Sequence, residues 1–355
     1  MSDNTIHDCG DSDCNQHKFT PRGENLVIDI HSHMNVGPAE AMIREAIPNL
    51  PKGLPFSSAS SDKVNAKMFA QIGSRLNGVK ERIEDMDRLG VDVQAISPNP
   101  GQYYYFSPEE LGRDLARLIN NNIAEAVESH PGRLVGMGTV PLQNVEMAIA
   151  EMKRCVKECG MRGIEIGTNV NGAELADPQF RPFFEKAEEL GVLLFIHPLG
   201  FTQGERLAQH YLNNIIGNPL ESTIALSHLI FSGALEAMPN LKLCVAHGGG
   251  YLSGYWGRMD HAYQAREDCR EHISKSPSSY LRNVWLDTLV FDPDELESLV
   301  RTHGAEKLCM GTDYPFDMGE PDPVGFHKNL SSDVKAKILG LNAAELLGIE
   351  VNSTS

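Results

Sequence analysis

At 355 residues the chain is long enough for two domains of about 150 residues, or for one large α/β barrel. Hydrophobic residues supply 41% and charged residues 22%, which excludes wholesale disorder, a collagen-like repeat and a coiled coil. Asp and Glu number 48 against 31 Lys and Arg, and the formal net charge of -17 argues against a nucleic-acid partner, whose backbone requires a basic surface.

Residues 1–25 are polar and read as a flexible tail. They hold neither a basic start nor an apolar run, and no stretch of about 18 apolar residues follows anywhere, so the expectation is no secretory leader, no membrane span and a cytoplasmic address. His7, Cys9, Cys14 and His17 are of metal-ligand type, but their spacing is not that of a usual zinc site. The seven cysteines are odd in number and scattered, as expected of reduced thiols.

From residue 26 to residue 350 short apolar runs alternate with segments of helical period. Leu26–Ile30, Val91–Ser97, Leu134–Thr139, Gly163–Gly167, Val192–Ile196, Leu241–Ala246, Val284–Asp287 and Leu308–Gly311 read as strands. Val79–Leu89, Pro108–Ser129, Glu146–Cys159, Phe180–Leu190, Thr223–Met238 and Asp294–His303 read as helices. Gly90, Gly160 and Gly191 stand where a left-handed helix cap belongs. This order predicts a (β/α)8 TIM barrel, with its active site at the C-terminal ends of the strands. A doubly wound sheet would want a glycine-rich phosphate loop after its first strand, where this chain has His31-Ser32-His33. Residues 35–78, with Pro48, Pro51, Pro55 and the serine-rich run Ser57 to Ser61, read as a long loop insertion over the barrel mouth rather than a second domain.

His31 and His33 end the first strand, where alternate side chains share a face and can meet one metal. His197, His247 and Asp313 each follow a later strand, so five ligand-type groups gather at the functional rim. Three imidazoles and one carboxylate suit a single divalent ion, zinc first, with manganese or iron as alternatives. One histidine is then left over. Gly248, Gly249 and Gly250 after His247 would let substrate approach closely, which assigns His247 the general acid/base role.

The motifs IDIHSHM, RGIEIGTNVNG, FIHP, CVAHGGG followed by a Gly-Arg pair, and MGTDYPFDMGEP resemble those of the amidohydrolase-related metal-dependent decarboxylases. The branch most resembled is that of α-amino-β-carboxymuconate-ε-semialdehyde decarboxylase. The resemblance runs from about Val27 to Gly348. It implies that His31, His33, His197 and Asp313 bind the metal and that His247 stands beside it as the catalytic group. It also implies that Arg258 reaches a neighbouring subunit's site to hold a substrate carboxylate, hence a homodimer. The implied reaction is non-oxidative decarboxylation of a planar unsaturated or (hetero)aromatic acid of the hydroxybenzoate, hydroxypyridine carboxylate or carboxymuconate semialdehyde type. Hydrolysis of a lactone or amide on the same barrel is the alternative.

Asp313 is a second group able to deliver a proton to carbon. Tyr103, in the loop Pro98 to Phe106, and Phe316 are expected to contact the substrate. Where relatives carry Trp-Asp after the His-Pro pair, this chain has Leu199-Gly200, so that pocket wall differs. Arg44, Lys52, Lys63, Lys67 and Arg75 are basic candidates in the insertion. Glu165 is a strand-four carboxylate of the kind that bridges a second metal in dinuclear members of the wider superfamily, but its segment matches the mononuclear branch, where it would only buffer a neighbour; Asp287 and Thr288, at the end of strand seven, could hydrogen-bond a ligand, with helix capping the first expectation.

Overall fold

The computed structural model describes residue 19, residues 21–50 and residues 56–351. His7, Cys9, Cys14, His17, Pro51, Lys52 and Pro55 lie outside the described residues. The strands are β1 Ile28–Met34, β2 Val93–Pro98, β3 Leu134–Gly138, β4 Gly163–Ile166, β5 Asn169–Val170, β6 Ala173–Glu174, β7 Leu193–Ile196, β8 Leu243–Val245, β9 Trp285–Asp287 and β10 Leu308–Cys309. Eight of them form one parallel sheet in the order β1-β2-β3-β4-β7-β8-β9-β10, and β5 and β6 make a separate antiparallel ribbon. Hydrogen bonds from Ile30 N to the Met310 carbonyl (3.0 Å), Asp313 N to His31 (2.8 Å) and His33 N to Tyr314 (2.8 Å) join the first strand to the last and close the barrel.

Each of the eight barrel strands buries both faces, as a barrel wrapped in helices requires. Ile28, Ile30, Val93, Ala95, Val135, Met137, Phe195, Cys244 and Trp285 fill the interior. Ile96, Ile164, Ile166, Leu194, Ile196, Val245 and Leu286 pack outward against the helices. Those helices include α1 Gly37–Ala46, α2 Ala59–Asn77, α3 Lys80–Leu89, α4 Glu109–Ser129, α5 Val145–Lys157, α6 Arg181–Leu190, α7 Asn218–Phe231, α8 Ala234–Ala237, α9 Leu252–Ala265, α10 Pro277–Leu281 and α11 Pro293–His303. Among the described residues no helix is long and apolar enough to cross a membrane.

Three expectations change. The insertion over residues 35–78 is largely helical: α2 is capped by Ser58, whose side chain accepts from Ser61 N, and it buries Met68, Ile72 and Leu76 at helical spacing. The helix read over Thr223–Met238 begins earlier, with Pro219 in its first turn, and breaks at Gly233 (φ 77°) between α7 and α8. Phe19, inside the expected tail, is buried beside Leu26 and Leu346 and pairs with Val351, because its ring covers the apolar base of the barrel. Gly90, Gly160 and Gly191 all take positive φ, as read.

Candidate metal centre and active site

The histidines of β1 reach the site through an irregularity. Ile28 and Ile30 point into the barrel, so strict alternation would send His31 and His33 outward. The register of β1 against β2 shifts between Asp29 and Ser32, and both imidazoles turn inward, with His31 5.2 Å from the Phe195 ring. Gly311 leaves room for this, since a Cβ there would fall 2.8 Å from that of His31.

His31, His33, His197 and Asp313 bring one ligand atom each within 4.8 Å of one another, all buried. His31 Nδ1 donates to Asp287 Oδ2 at 2.6 Å, and His33 Nδ1 donates to the Pro98 carbonyl at 3.1 Å. Both Nε2 atoms therefore present lone pairs, and they stand only 3.1 Å apart. Asp313 Oδ1 lies 3.1 Å from His33 Nε2 and 3.4 Å from His31 Nε2. Two lone pairs and a carboxylate oxygen facing one another require a cation between them. Both ring nitrogens of His197 and Oδ1 of Asp313 are buried without a hydrogen-bond partner. This donor set fits a divalent ion.

The electrostatics agree. Burial pulls the His31 pKa down, but Asp287 and Asp313 outweigh it and push it up to about 10, so without a metal the site holds a proton instead. Burial, reinforced by the neighbouring imidazoles, drives His197 well below its ordinary value. Burial raises Asp313, but His31 and His33 hold it well below the usual carboxylate range. His247, whose ring centroid is 5.0 Å from that of His197 and 5.3 Å from that of His31, is pushed down to about 4 by burial and by His31. It is neutral at pH 7, and its Nδ1 has no hydrogen-bond partner.

His247 takes a left-handed backbone (φ 58°), as do the three glycines after it. These glycines serve the protein's own packing rather than substrate approach: a Cβ on Gly250 would fall 2.2 Å from the Pro219 carbonyl oxygen.

Asp287 serves a purpose other than the helix capping expected of it. It caps no helix; Asp292 caps α11. Its Oδ2 holds His31, its Oδ1 accepts from Gly248 N at 2.8 Å, and it thereby ties a metal-ligand position to the His247 turn. Its place at a strand end beside the other rim residues was the signal available. Thr288 likewise caps nothing and pairs with His327 Nε2 at 3.0 Å.

Tyr103 is buried, its ring stacked on Tyr105 at 5.5 Å, and its hydroxyl donates to Glu165 Oε1 at 2.6 Å. That leaves it beside the site, with its polar end already engaged. Glu165 is fully buried, with Oε2 3.6 Å from His33 Nδ1. Phe316 lies 5.6 Å from the His33 ring and touches Phe69 of α2. Arg75 pairs with Asp85 at 2.9 Å, while Arg44, Lys63 and Lys67 are exposed. Arg258 is exposed on α9, beside a groove of about 820 Å³ lined by Tyr251, Tyr255 and Met259 and by none of the four ligands.

A family model described as amidohydrolase matches residues 28–349. The chain is 36% identical over 342 residues to the 2-amino-3-carboxymuconate-6-semialdehyde decarboxylase of Dictyostelium discoideum, covering 92% of this chain and 93% of that protein. Among solved structures, 5-carboxyvanillate decarboxylase from Sphingomonas paucimobilis matches with a TM-score of 0.81 at 26% identity, over 91% of this chain and 99% of that one. The 5-carboxyvanillate decarboxylase of Novosphingobium aromaticivorans, complexed with manganese and 4-hydroxy-3-methoxy-5-nitrobenzoic acid, shares the fold at 23% identity, with a TM-score of 0.82 over 94% of this chain and 99% of that one.

Proposed function

This chain belongs to the amidohydrolase family, and from that premise we propose that it is a metal-dependent carboxy-lyase. It removes carbon dioxide, without oxidation, from a planar unsaturated or (hetero)aromatic acid. The observation that carries this reading is the buried His31, His33, His197 and Asp313 cluster with the His247 ring packed beside it, in a chain so similar to a decarboxylase. The hydrolytic reading rests only on what the wider family can do.

His31, His33, His197 and Asp313 would hold one divalent ion, which when bound supplies Lewis-acid charge to orient and polarise substrate oxygens. Zinc is our first assignment, on the donor set; the manganese in the Novosphingobium enzyme supports manganese as the alternative. The carbon-to-carboxylate bond breaks, its electron pair stays on the substrate carbon, a carbon-hydrogen bond forms there and carbon dioxide leaves. His247 is assigned to hold and move the proton at its ring nitrogen, with Asp313 as the second proton carrier. Asp287 keeps His31 in the tautomer that leaves Nε2 free. Phe316, packed on His33, gives a planar substrate an apolar face, and Tyr103 acts from beneath by holding Glu165.

Arg258 is assigned to bind a substrate carboxylate in the site of a second copy of the chain. Support comes from its exposure away from its own cluster and from the aromatic groove around it, where Tyr255 is 65% exposed. We read residues 26–350 as one functional unit with residues 35–78 over its mouth, and its address as cytoplasmic. The free thiols of Cys155, Cys159, Cys244, Cys269 and Cys309 support the latter.

The test is carbon dioxide release across hydroxybenzoates, hydroxypyridine carboxylates and carboxymuconate semialdehydes, with the metal quantified in the same sample. One of these acids should be turned over, and His247→Ala should keep its metal while losing turnover by about 100-fold or more. Near-full activity in His247→Ala would remove that residue from the mechanism.

A further inference from the structure

Beneath the ligand cluster lies a cation that the site chemistry above does not use. Arg82, in the first turn of α3, is fully buried, and among the described residues it is the only Arg or Lys that is. A buried guanidinium is costly unless its donors are satisfied, so what it touches shows what it is for. One terminal nitrogen donates to the main-chain carbonyl of His33, a ligand position, and reaches the Arg75 carbonyl at 3.4 Å. The other donates to Gln94 Oε1 at 2.7 Å and to Ser32 Oγ, between the two ligand histidines, at 3.4 Å. Its planar face lies 4.8 Å from the centroid of Tyr314, the residue after Asp313.

The connections continue on the far side. Gln94 stands opposite Asp29 in the β1 and β2 pairing and donates to Asp29 Oδ2 at 2.8 Å. Asp29, fully buried, accepts from His31 N (3.0 Å), from Thr312 N (3.0 Å) and from Thr312 Oγ1 (2.6 Å). Thr312 precedes Asp313. One continuous set of hydrogen bonds thus runs from the His33 backbone through Arg82, Gln94 and Asp29 to the backbones of His31 and of Thr312, the neighbour of Asp313. It spans the place where the β1 register shifts and where the first and last strands meet.

We propose that Arg82 is a positioning residue for the metal centre, locking the β1 irregularity and the Asp313 turn into the arrangement that brings three of the four ligands together. The fork of the guanidinium is what allows it: one group engages Gln94, Ser32 and the His33 carbonyl at once, which an ammonium on a flexible stem does not do. The inference rests on the metal-site part of the function proposed above and is independent of whether the reaction is decarboxylation.

The experiment is a titration of the metal-free full chain with Mn(II), reading free ion by its electron paramagnetic resonance signal, for wild type, Arg82→Lys, Thr312→Val and the double variant. Circular dichroism and thermal unfolding of the metal-free proteins report folding separately. Arg82→Lys should bind Mn(II) about 10- to 100-fold more weakly while folded, as expected for outer groups that orient ligands. Thr312→Val should weaken binding in the same direction, and the two losses should be less than additive because they cut one network. Wild-type Mn(II) affinity in folded Arg82→Lys, or strict additivity with Thr312→Val, would overturn the proposal. Should Arg82→Lys fail to fold, Gln94→Leu decides the matter, since it severs Arg82 from Asp29 and leaves the guanidinium on the His33 carbonyl; unchanged affinity there also overturns it. Wild type that binds Mn(II) yet releases no carbon dioxide would defeat the decarboxylase reading and leave this inference standing.

Discussion

At Asp287 one carboxylate does two jobs. It fixes the proton of His31 on Nδ1, and through Gly248 N it anchors the turn that carries His247. Although burial raises its pKa, His31 holds Asp287 below its ordinary value, so the carboxylate stays ionised in the pH range where the metal binds. Replacing it by asparagine keeps the shape but removes the charge that selects the tautomer. Asp287→Asn should weaken metal binding by about 10- to 100-fold, measured by equilibrium dialysis with the metal, while the far-ultraviolet dichroism stays unchanged. Equal affinity in the variant would mean that the 2.6 Å contact does not orient the ligand. The gathering of His31, His33, His197 and Asp313 was legible in the sequence because each stands at or after an apolar run read as a barrel strand. Asp287 was harder to read, since an aspartate ahead of a helix has the same local pattern whether it caps that helix or faces inward. The bond from the Tyr103 hydroxyl to Glu165 had no signal in the sequence, because it joins a rim loop to a strand distant in sequence.

At the level of elements, α2 shows why the insertion resisted reading. Its buried apolar face is only Met68, Ile72 and Leu76, and its first turn is serine-rich, so composition pointed to a loop. The β1 irregularity had no signal in the sequence, because the groups that bond to Asp29 beside it, Gln94 and Thr312, come from a distant strand and a distant turn. Two other buried histidines link elements to the pH dependence of folding. His303, at the end of α11, donates to the Val284 carbonyl at 2.8 Å, and His327 lies between Thr288 Oγ1 and the Pro323 carbonyl. Burial pushes each down to about 4 from an ordinary value of 6.5. The unfolded chain therefore takes up these protons first as pH falls. Their contribution is fully present above about pH 6.5, is lost on descending towards about pH 4, and amounts to about 3 kcal/mol for each group. Urea unfolding should show stability falling through that window, with His303→Gln removing about one proton from the slope. An unchanged slope would mean that His303 does not titrate with folding.

For the whole molecule, the barrel explains how residues as distant in sequence as His31 and Asp313 share one site: parallel strands deliver all their C-terminal ends to one rim. That frame was legible from the strand and helix alternation and from the glycine caps. The groove beside Arg258 was not, because it is built by side chains of α7 and α9 whose exposure no local pattern reveals. If Arg258 serves the neighbouring site, Arg258→Ala and His247→Ala proteins, each inactive alone, should complement. Random exchange at equal amounts makes half of the dimers mixed, each with one intact site, so the mixture should recover about a quarter of wild-type turnover. No recovery after verified subunit exchange would place Arg258 outside the site. Decarboxylation is tested most directly by turnover of an accepted acid in deuterium oxide by the metal-loaded protein, with the product followed by proton resonance and the gas collected. One carbon dioxide per turnover and a single deuterium on the carbon that lost it are expected. Substrate consumed with water added and no gas released, or no turnover of any such acid by protein holding one metal per chain, would contradict decarboxylation.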